Sequence, residues 1–250
     1  MVRKFCPQEF TVTLYLNRYE MVSIQMSNTD WEDWAIGYLY SEGVIHSASD
    51  LKRLIIDQDR FKIWADLKPG FDAERFLKQR RHLTAGCGNG VTFQSIADVR
   101  GLHKISSSYS VRLSFLNQKM KEFAKLTPMY HETGGMHAAC LVDPLGNIMV
   151  REDIGRHNAV DKVIGQAVKE LRDPSSLILM TTGRISYEML SKAAKFGIPI
   201  LASRTAATNQ AVELAELLGV EIVGYIRGQM SVLYTSCHRV LDDLIKVAGK

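Results

Sequence analysis

The sequence predicts an α/β protein: a mostly parallel sheet between helices over residues 109–250, preceded by a smaller α+β domain over residues 1–108. Three observations carry this expectation. Apolar strand-like runs alternate with amphipathic helical stretches from residue 148 onward. Short alternating runs joined by turn residues fill much of the first half. Four arginines, Arg156, Arg184, Arg204 and Arg227, each follow the end of a strand-like run, and helical patterns follow three of them. If those strands share one direction, the four guanidiniums reach one edge of one sheet, where open α/β folds bind ligands.

Each element has its own signal. Residues 10–26 alternate as FTVTLYL and MVSIQM around Asn17-Arg18, a hairpin pattern. Residues 27–30 offer an N-cap; Trp34, Ala35, Tyr38 and Leu39 keep helical spacing, and Gly43 stops the helix. LKRLIID and RFKIWAD flank Gln58-Asp59 as a second hairpin. Residues 71–79 read as a short helix, and residues 80–90 (RRHLTAGCGNG) as a glycine-rich loop. Helical period returns over residues 111–126 through Val111, Phe115, Met120 and Phe123, until Thr127-Pro128 breaks it. HAACLV and IMVRED enclose a turn at residues 143–147 and form a third hairpin. Ala159, Val160, Val163, Ile164, Ala167, Val168 and Leu171 then make one apolar helical face. Strand LILMT, helix YEMLSKAAKFG, strand PILAS, helix QAVELAELLG and strand EIVGYI follow, with Gly197 and Gly219 as helix stops. Right-handed crossovers between such units give a parallel sheet, with the hairpin antiparallel at one side. A last helix is expected over residues 236–248.

Composition narrows the function classes. A hydrophobic share of 46% and a charged share of 23% are those of a globular domain, not a disordered one. The net charge of +4 favours anionic ligands. It falls short of a nucleic-acid footprint, because the densest basic cluster, residues 78–82, is short and lacks interleaved aromatics. No segment has signal-peptide or membrane-span character, so the expected location is cytoplasmic. Cys6, Cys87, Cys140 and Cys237 lie far apart, without metal-ligand spacing, and read as reduced thiols.

The four arginines suit a phosphate-rich ligand, since a guanidinium forks onto phosphate in a way lysine cannot copy. Two strand-to-helix turns, residues 181–186 and 203–208, add helix N-termini. Gly183 there permits close backbone approach, while Ser186 and Thr208 are expected to cap their helices. The competing reading pairs the arginines with Glu152, Asp153 or Glu188 as structural ion pairs. His157 beside Arg156 is an acid–base candidate or a hydrogen-bonded structural residue, and His137 after Gly134-Gly135 divides the same way. Cys87 lies in Gly86-Cys87-Gly88-Asn89-Gly90, closely preceded by Arg80, Arg81 and His82. Nearby positive charge favours the thiolate, the reactive form. The alternative is a glycine turn that happens to hold a cysteine. Cys140, within Ala138-Ala139-Cys140-Leu141-Val142, reads as packing.

Together, WAIGYLYSEGVI, TGGMHAACL, EDIGRHNAVDKVIG, TTGRISYEMLSKAAKFGIP and the stretch around GYIRGQMSVLYT resemble the formate dehydrogenase accessory sulfurtransferases of the FdhD family, nearly end to end. The resemblance implies a C-terminal domain similar in fold to cytidine deaminases, a three-layer arrangement. It implies a sulfur carrier that accepts sulfur from a cysteine desulfurase as a persulfide on Cys87. That sulfur would pass to the molybdenum bis(molybdopterin guanine dinucleotide) cofactor, bound as substrate, for maturation of the formate dehydrogenase catalytic subunit. By match, Tyr225, Ile226, Arg227, Gly228, Gln229 and Met230 form the cofactor-binding stretch. Arg156, His157, Gly183, Arg184, Ser186, Ser203 and Arg204 would meet the pyrophosphates, with GDP as a mimic. A homodimer is expected on base rates.

The chain departs from the family at one point: the frequent Cys-x-x-Cys pair reads Cys87-Gly88-Asn89-Gly90 here. A lone thiolate can accept sulfur but cannot release it as sulfide by closing an internal disulfide. The alternative function is therefore a non-enzymatic chaperone for the molybdenum cofactor. A zinc nucleobase deaminase is excluded. That chemistry needs His-x-Glu and Pro-Cys-x-x-Cys at two helix starts, which here read His157-Asn158-Ala159 and Ser186-Tyr187-Glu188.

Overall fold

The computed structural model describes residues 5–74, 76, 102–227 and 230–241. Cys87 with its glycine-rich loop, Gly228, Gln229 and residues 75 and 77–79 of the expected 71–79 helix lie outside the described residues; Ala73, Glu74 and Phe76 are helical, while Phe71 and Asp72 precede the helix.

In the first half, alternation produces a half-buried sheet. β1 (Phe10–Leu16), β2 (Tyr19–Met26), β3 (Leu51–Asp57) and β4 (Lys62–Leu67) form four strands in the order β2-β1-β4-β3. Both expected hairpins are present, and β1 joins them by pairing parallel with β4. Period-two alternation sends Val12, Leu14, Leu16, Ile63 and Ala65 to one face, where all are fully buried. α1 (Trp31–Ser41) enters that core with Trp31, Trp34 and Leu39.

The second half forms a six-stranded sheet from β6 (His137–Val142), β7 (Ile148–Asp153), β8 (Ile178–Thr181), β9 (Ile200–Ser203), β10 (Glu221–Arg227) and β11 (Met230–Leu233). Their order is β11-β10-β9-β8-β6-β7. The expectation of a mostly parallel sheet is corrected here. Only β8–β9 and β9–β10 pair parallel, whereas β6–β7, β6–β8 and β10–β11 pair antiparallel. The reasons are that the β6–β7 hairpin docks through its first strand, and that β10 turns back into β11, whose short run carried no turn signal. The β6–β7 turn places Leu145, 89% exposed, at the opposite rim of the sheet from the C-terminal ends of β7 and β8.

Helices cover both faces. α2 (Leu113–Lys125) follows the two-residue β5 (Val111–Arg112) and lays Leu116, Met120 and Phe123 on one face, against Cys140, Met180 and Ala202. Burial pushes the Cys140 thiol pKa well up, so it packs as an apolar group. α3 (Pro128–Thr133) is a short turn beyond it. The other face receives α4 (Arg156–Lys169), α5 (Tyr187–Phe196) and α6 (Asn209–Leu218). α5 and α6 end at Gly197 and Gly219 in the left-handed conformation that glycine adopts without strain. α1 crosses α4 with backbones touching: a Cβ on Gly37 would lie 1.8 Å from the Asp161 carbonyl oxygen, and one on Gly165 1.8 Å from that of Asp33. One apolar core thus runs from β1 through α1 and α4 to α6.

The helix expected from residue 236 is also corrected over its described part. Residues 236–239 are irregular, and β12 (Val240–Leu241) pairs parallel with β5. Buried Glu221 explains this, because it accepts hydrogen bonds from the Thr235 hydroxyl and from the N–H groups of Cys237 and Arg239. The Arg239 guanidinium in turn donates to the carbonyls of Ile105, Ser107 and Gly219. Those bonds hold the segment away from helical geometry.

Candidate functional site

β6 runs against both β7 and β8, so β7 and β8 share one direction, which β9 and β10 follow. The C-terminal ends of four strands therefore lie on one sheet edge, and Arg156, Arg184, Arg204 and Arg227 stand there. Because β6 is reversed, its first residue, His137, comes to the same edge between β7 and β8; it pairs with Asp153 in register. Sequence reasoning placed the arginines but not this histidine, whose position depends on strand order.

The carboxylates expected to neutralise the arginines are engaged elsewhere. Glu152 accepts from the N–H groups of Met129 and Tyr130 at 3.0 and 2.7 Å. Asp153 pairs with Lys162 at 2.7 Å, both fully buried. Glu188 lies 3.8 Å from Lys192. Among the described residues, none of the four arginines is ion-paired. Arg156 Nε is buried with no hydrogen-bond partner there. A guanidinium in that state invites an anion, since an unsatisfied buried donor is costly.

Backbone geometry sharpens the edge. Ser186 and Thr208 cap α5 and α6, accepting from the N–H groups of Met189 and Ala211. The partial positive charge of both helix starts faces the same rim. At Gly183 a Cβ would sit 2.9 Å from the Arg156 Cβ, so this turn must stay bare for Arg156 to pass. Ser203 is fully buried; it donates to the Gly183 carbonyl at 2.7 Å and accepts from the Thr205 N–H. Its hydroxyl joins the two turns rather than facing outward. Arg227 Nε donates to the Arg204 carbonyl at 2.7 Å. Between them Tyr225, in a bulge of β10 at φ 52°, gives its N–H to the Thr205 carbonyl and keeps an exposed side chain. Ile226 is buried on the α2 side of the sheet, so it offers a ligand only backbone. Met230 opens β11 opposite Arg227.

Both histidines are neutral at pH 7. Burial lowers the His157 pKa from 6.5 to about 4, and the Lys192 and Arg156 charges push the same way. Its Nε2 lies 3.2 Å from the Ser186 hydroxyl and 3.6 Å from Glu188, and the latter approach is not an ion pair while the ring is neutral. Burial, then Arg156, also lowers His137, against the pull of Asp153. Beside His157 a cavity of about 460 Å³ opens between β2, α1, α4 and α5, lined in part by Gln25, Tyr38, Asp161, Glu188 and Lys192. No sequence signal announced the buried pair in it, Lys192–Asp161 at 2.6 Å. The Ser41 hydroxyl also donates to Asp161, so we assign the ionised pair at neutral pH, although burial raises the Asp161 pKa.

Comparisons with known proteins identify the family. Residues 7–241 match the model of the FdhD/NarQ family. Curated relatives named sulfur carrier protein FdhD include one from Wolinella succinogenes, 36% identical over 93% of this chain and 81% of that protein. Those from Geobacillus kaustophilus and Bacillus subtilis are each 32% identical, covering 93% and 94% of this chain and 89% of each relative. A crystal structure from Desulfotalea psychrophila, described as a formate dehydrogenase accessory protein, shares the fold with a TM-score of 0.76 at 23% identity, over 94% of this chain and 90% of that one. With a family match spanning nearly the whole chain and relatives above 30% identity, the chain belongs to the FdhD/NarQ family.

Proposed function

We propose that this protein is a sulfur carrier that takes sulfur from a cysteine desulfurase onto Cys87 and hands it to the molybdenum bis(molybdopterin guanine dinucleotide) cofactor during formate dehydrogenase maturation. The observation that carries the ligand assignment is the edge of four arginines with no carboxylate partner among the described residues, joined by two helix N-termini. Such an edge suits the pyrophosphates of a guanine dinucleotide, for which GDP stands in. The names of the curated relatives support the sulfur-carrying role.

In this reading residues 1–108 carry the reactive thiol, and residues 109–250, similar in fold to cytidine deaminases, hold the cofactor as cargo. The Cys87 thiolate attacks the outer sulfur of the desulfurase persulfide; a new S–S bond forms and the desulfurase thiolate leaves. Delivery as sulfide needs two electrons, supplied by an outside thiol or the metal centre, since Cys87-Gly88-Asn89-Gly90 has no second cysteine. The protein acts as a homodimer with the formate dehydrogenase catalytic subunit as client.

Mass spectrometry after incubation with a cysteine desulfurase and cysteine tests the reading. The expected result is one added sulfur on the wild type and none on Cys87→Ala. If neither gains mass while GDP still binds, the protein is a cofactor chaperone that moves no sulfur, the role the missing second cysteine favours.

A further inference from the structure

Asp153 sits at the end of β7 with no exposure, and its two carboxylate oxygens divide between the turn that presents Arg156 and His157 and the Ser27–Lys162 side. Its Oδ1 accepts from the Gly155 N–H and the Asn158 side-chain amide, both at 2.9 Å. Its Oδ2 accepts from the Ser27 N–H at 3.1 Å and hydroxyl at 2.8 Å, and lies 2.7 Å from Lys162 Nζ. Lys162 also reaches the Ser27 hydroxyl and the Glu152 carbonyl. Asn158 donates further to the Gln25 carbonyl.

The start of α4 needs this arrangement. Its N-cap is Gly155, which has no side chain to accept from the first turn. Asp153 instead holds the cap residue in place, accepting from the Gly155 N–H and from the Asn158 side-chain amide. A fully buried ion pair is weak evidence for stability, because apolar residues of the same shape often serve as well. What such residues lack is an acceptor for Gly155 and Asn158.

We propose that Asp153, paired with Lys162 and tied to the N-terminal chain through Ser27, is the positioning residue that fixes Arg156 and His157 at the arginine edge. The inference rests on the reading of that edge as a phosphate site. It adds that the end of β2 and the chain entering α1 set the site's geometry through one carboxylate.

Two double variants test it, with GDP as the probe in calorimetry. Asp153→Leu/Lys162→Met removes charge and acceptor together; we expect a folded protein whose GDP affinity falls by about tenfold or more. Asp153→Asn/Lys162→Met keeps the oxygen facing Gly155 and Asn158, and should restore affinity to within about threefold of wild type. Should the leucine variant not fold, Asp153→Ala/Lys162→Met, which also has no side-chain acceptor, carries the same expectation. Titration of His157 by NMR gives a second readout that needs no ligand. It should stay near pH 4 in the wild type and the asparagine variant, and rise when the acceptor is gone. Wild-type affinity and an unmoved His157 in the acceptor-less variants overturn the positioning role. A wild type that binds neither GDP nor pyrophosphate overturns the phosphate reading instead, and the His157 titration then decides the role of Asp153 alone.

Discussion

Arg227 donates its Nε hydrogen to the Arg204 carbonyl at 2.7 Å, so one cation of the edge is held by the backbone that carries the next. The bond spends one donor and leaves the two terminal nitrogens of Arg227 for a ligand. The Arg227 guanidinium is thereby held against the turn that follows the adjacent strand, with no carboxylate in the contact.

Arg184 follows β8, is exposed and has no ion pair among the described residues. Arg184→Ala should therefore weaken GDP binding by roughly 1.5–3 kcal/mol, with an unchanged thermal midpoint. Calorimetric titration checks the first and a melting curve the second. Equal GDP affinity in variant and wild type removes Arg184 from the site.

Gly183→Ala places a methyl group 2.9 Å from the Arg156 Cβ and 3.0 Å from its Cδ. The Arg156 Cδ can swing aside, but its Cβ moves only with the backbone, so the turn must shift with it. The expected outcome is a folded protein with displaced Arg156 and weaker GDP binding, while Gly183→Ala combined with Arg156→Gly should lose little beyond Arg156→Gly alone. Additive losses in that cycle would argue against the contact.

Gly37→Ala has no such outlet, since its Cβ meets the Asp161 backbone carbonyl at 1.8 Å. Prising α1 from α4 should cost at least about 1–3 kcal/mol, read as a lower urea midpoint. A midpoint equal to wild type would show that the two helices do not cross this closely.

The Lys192–Asp161 pair should behave as a unit. Lys192→Met leaves a buried carboxylate alone and should cost about 3–5 kcal/mol. Adding Asp161→Leu should recover most of that loss in chemical denaturation. Burial works against the Lys192 ammonium, but Asp161, Glu188 and Glu42 outweigh it and raise its pKa above 10.5.

His157 makes stability depend on acidity. Its folded pKa, about 4, lies below its ordinary 6.5, so the unfolded chain binds more protons between those values. Its contribution is complete above pH 6.5 and drains away as pH falls toward 4. His157→Gln should flatten the change in urea midpoint across that window; an equally steep profile would assign the acid sensitivity to other groups.

Much of this molecule was legible in the chain because local patterns decided it. Helical spacing located α4 through Ala159, Val160 and Val163, and period-two alternation located β1 and β4. Gly197 and Gly219 marked helix ends through a conformation few other residues tolerate. What escaped depended on distant partners. Glu221 opens the expected strand EIVGYI with nothing nearby in sequence to mark its role, yet it is buried and draws residues 235–239 over itself. β6 reads like any strand, but docking against β8 reversed the neighbourhood and brought His137 to the arginines. Asp153 was expected as a partner for the arginines, and its pairing with Lys162 instead depends on how α4 packs against β7.

The same reversal of β6 has a practical side. Its turn into β7 faces away from the cations, with Leu145 projecting into solvent. A fluorophore or surface tether attached at that position would leave the anion-seeking rim unobstructed, so single-molecule or immobilised assays could watch cargo arrive without the handle competing for it.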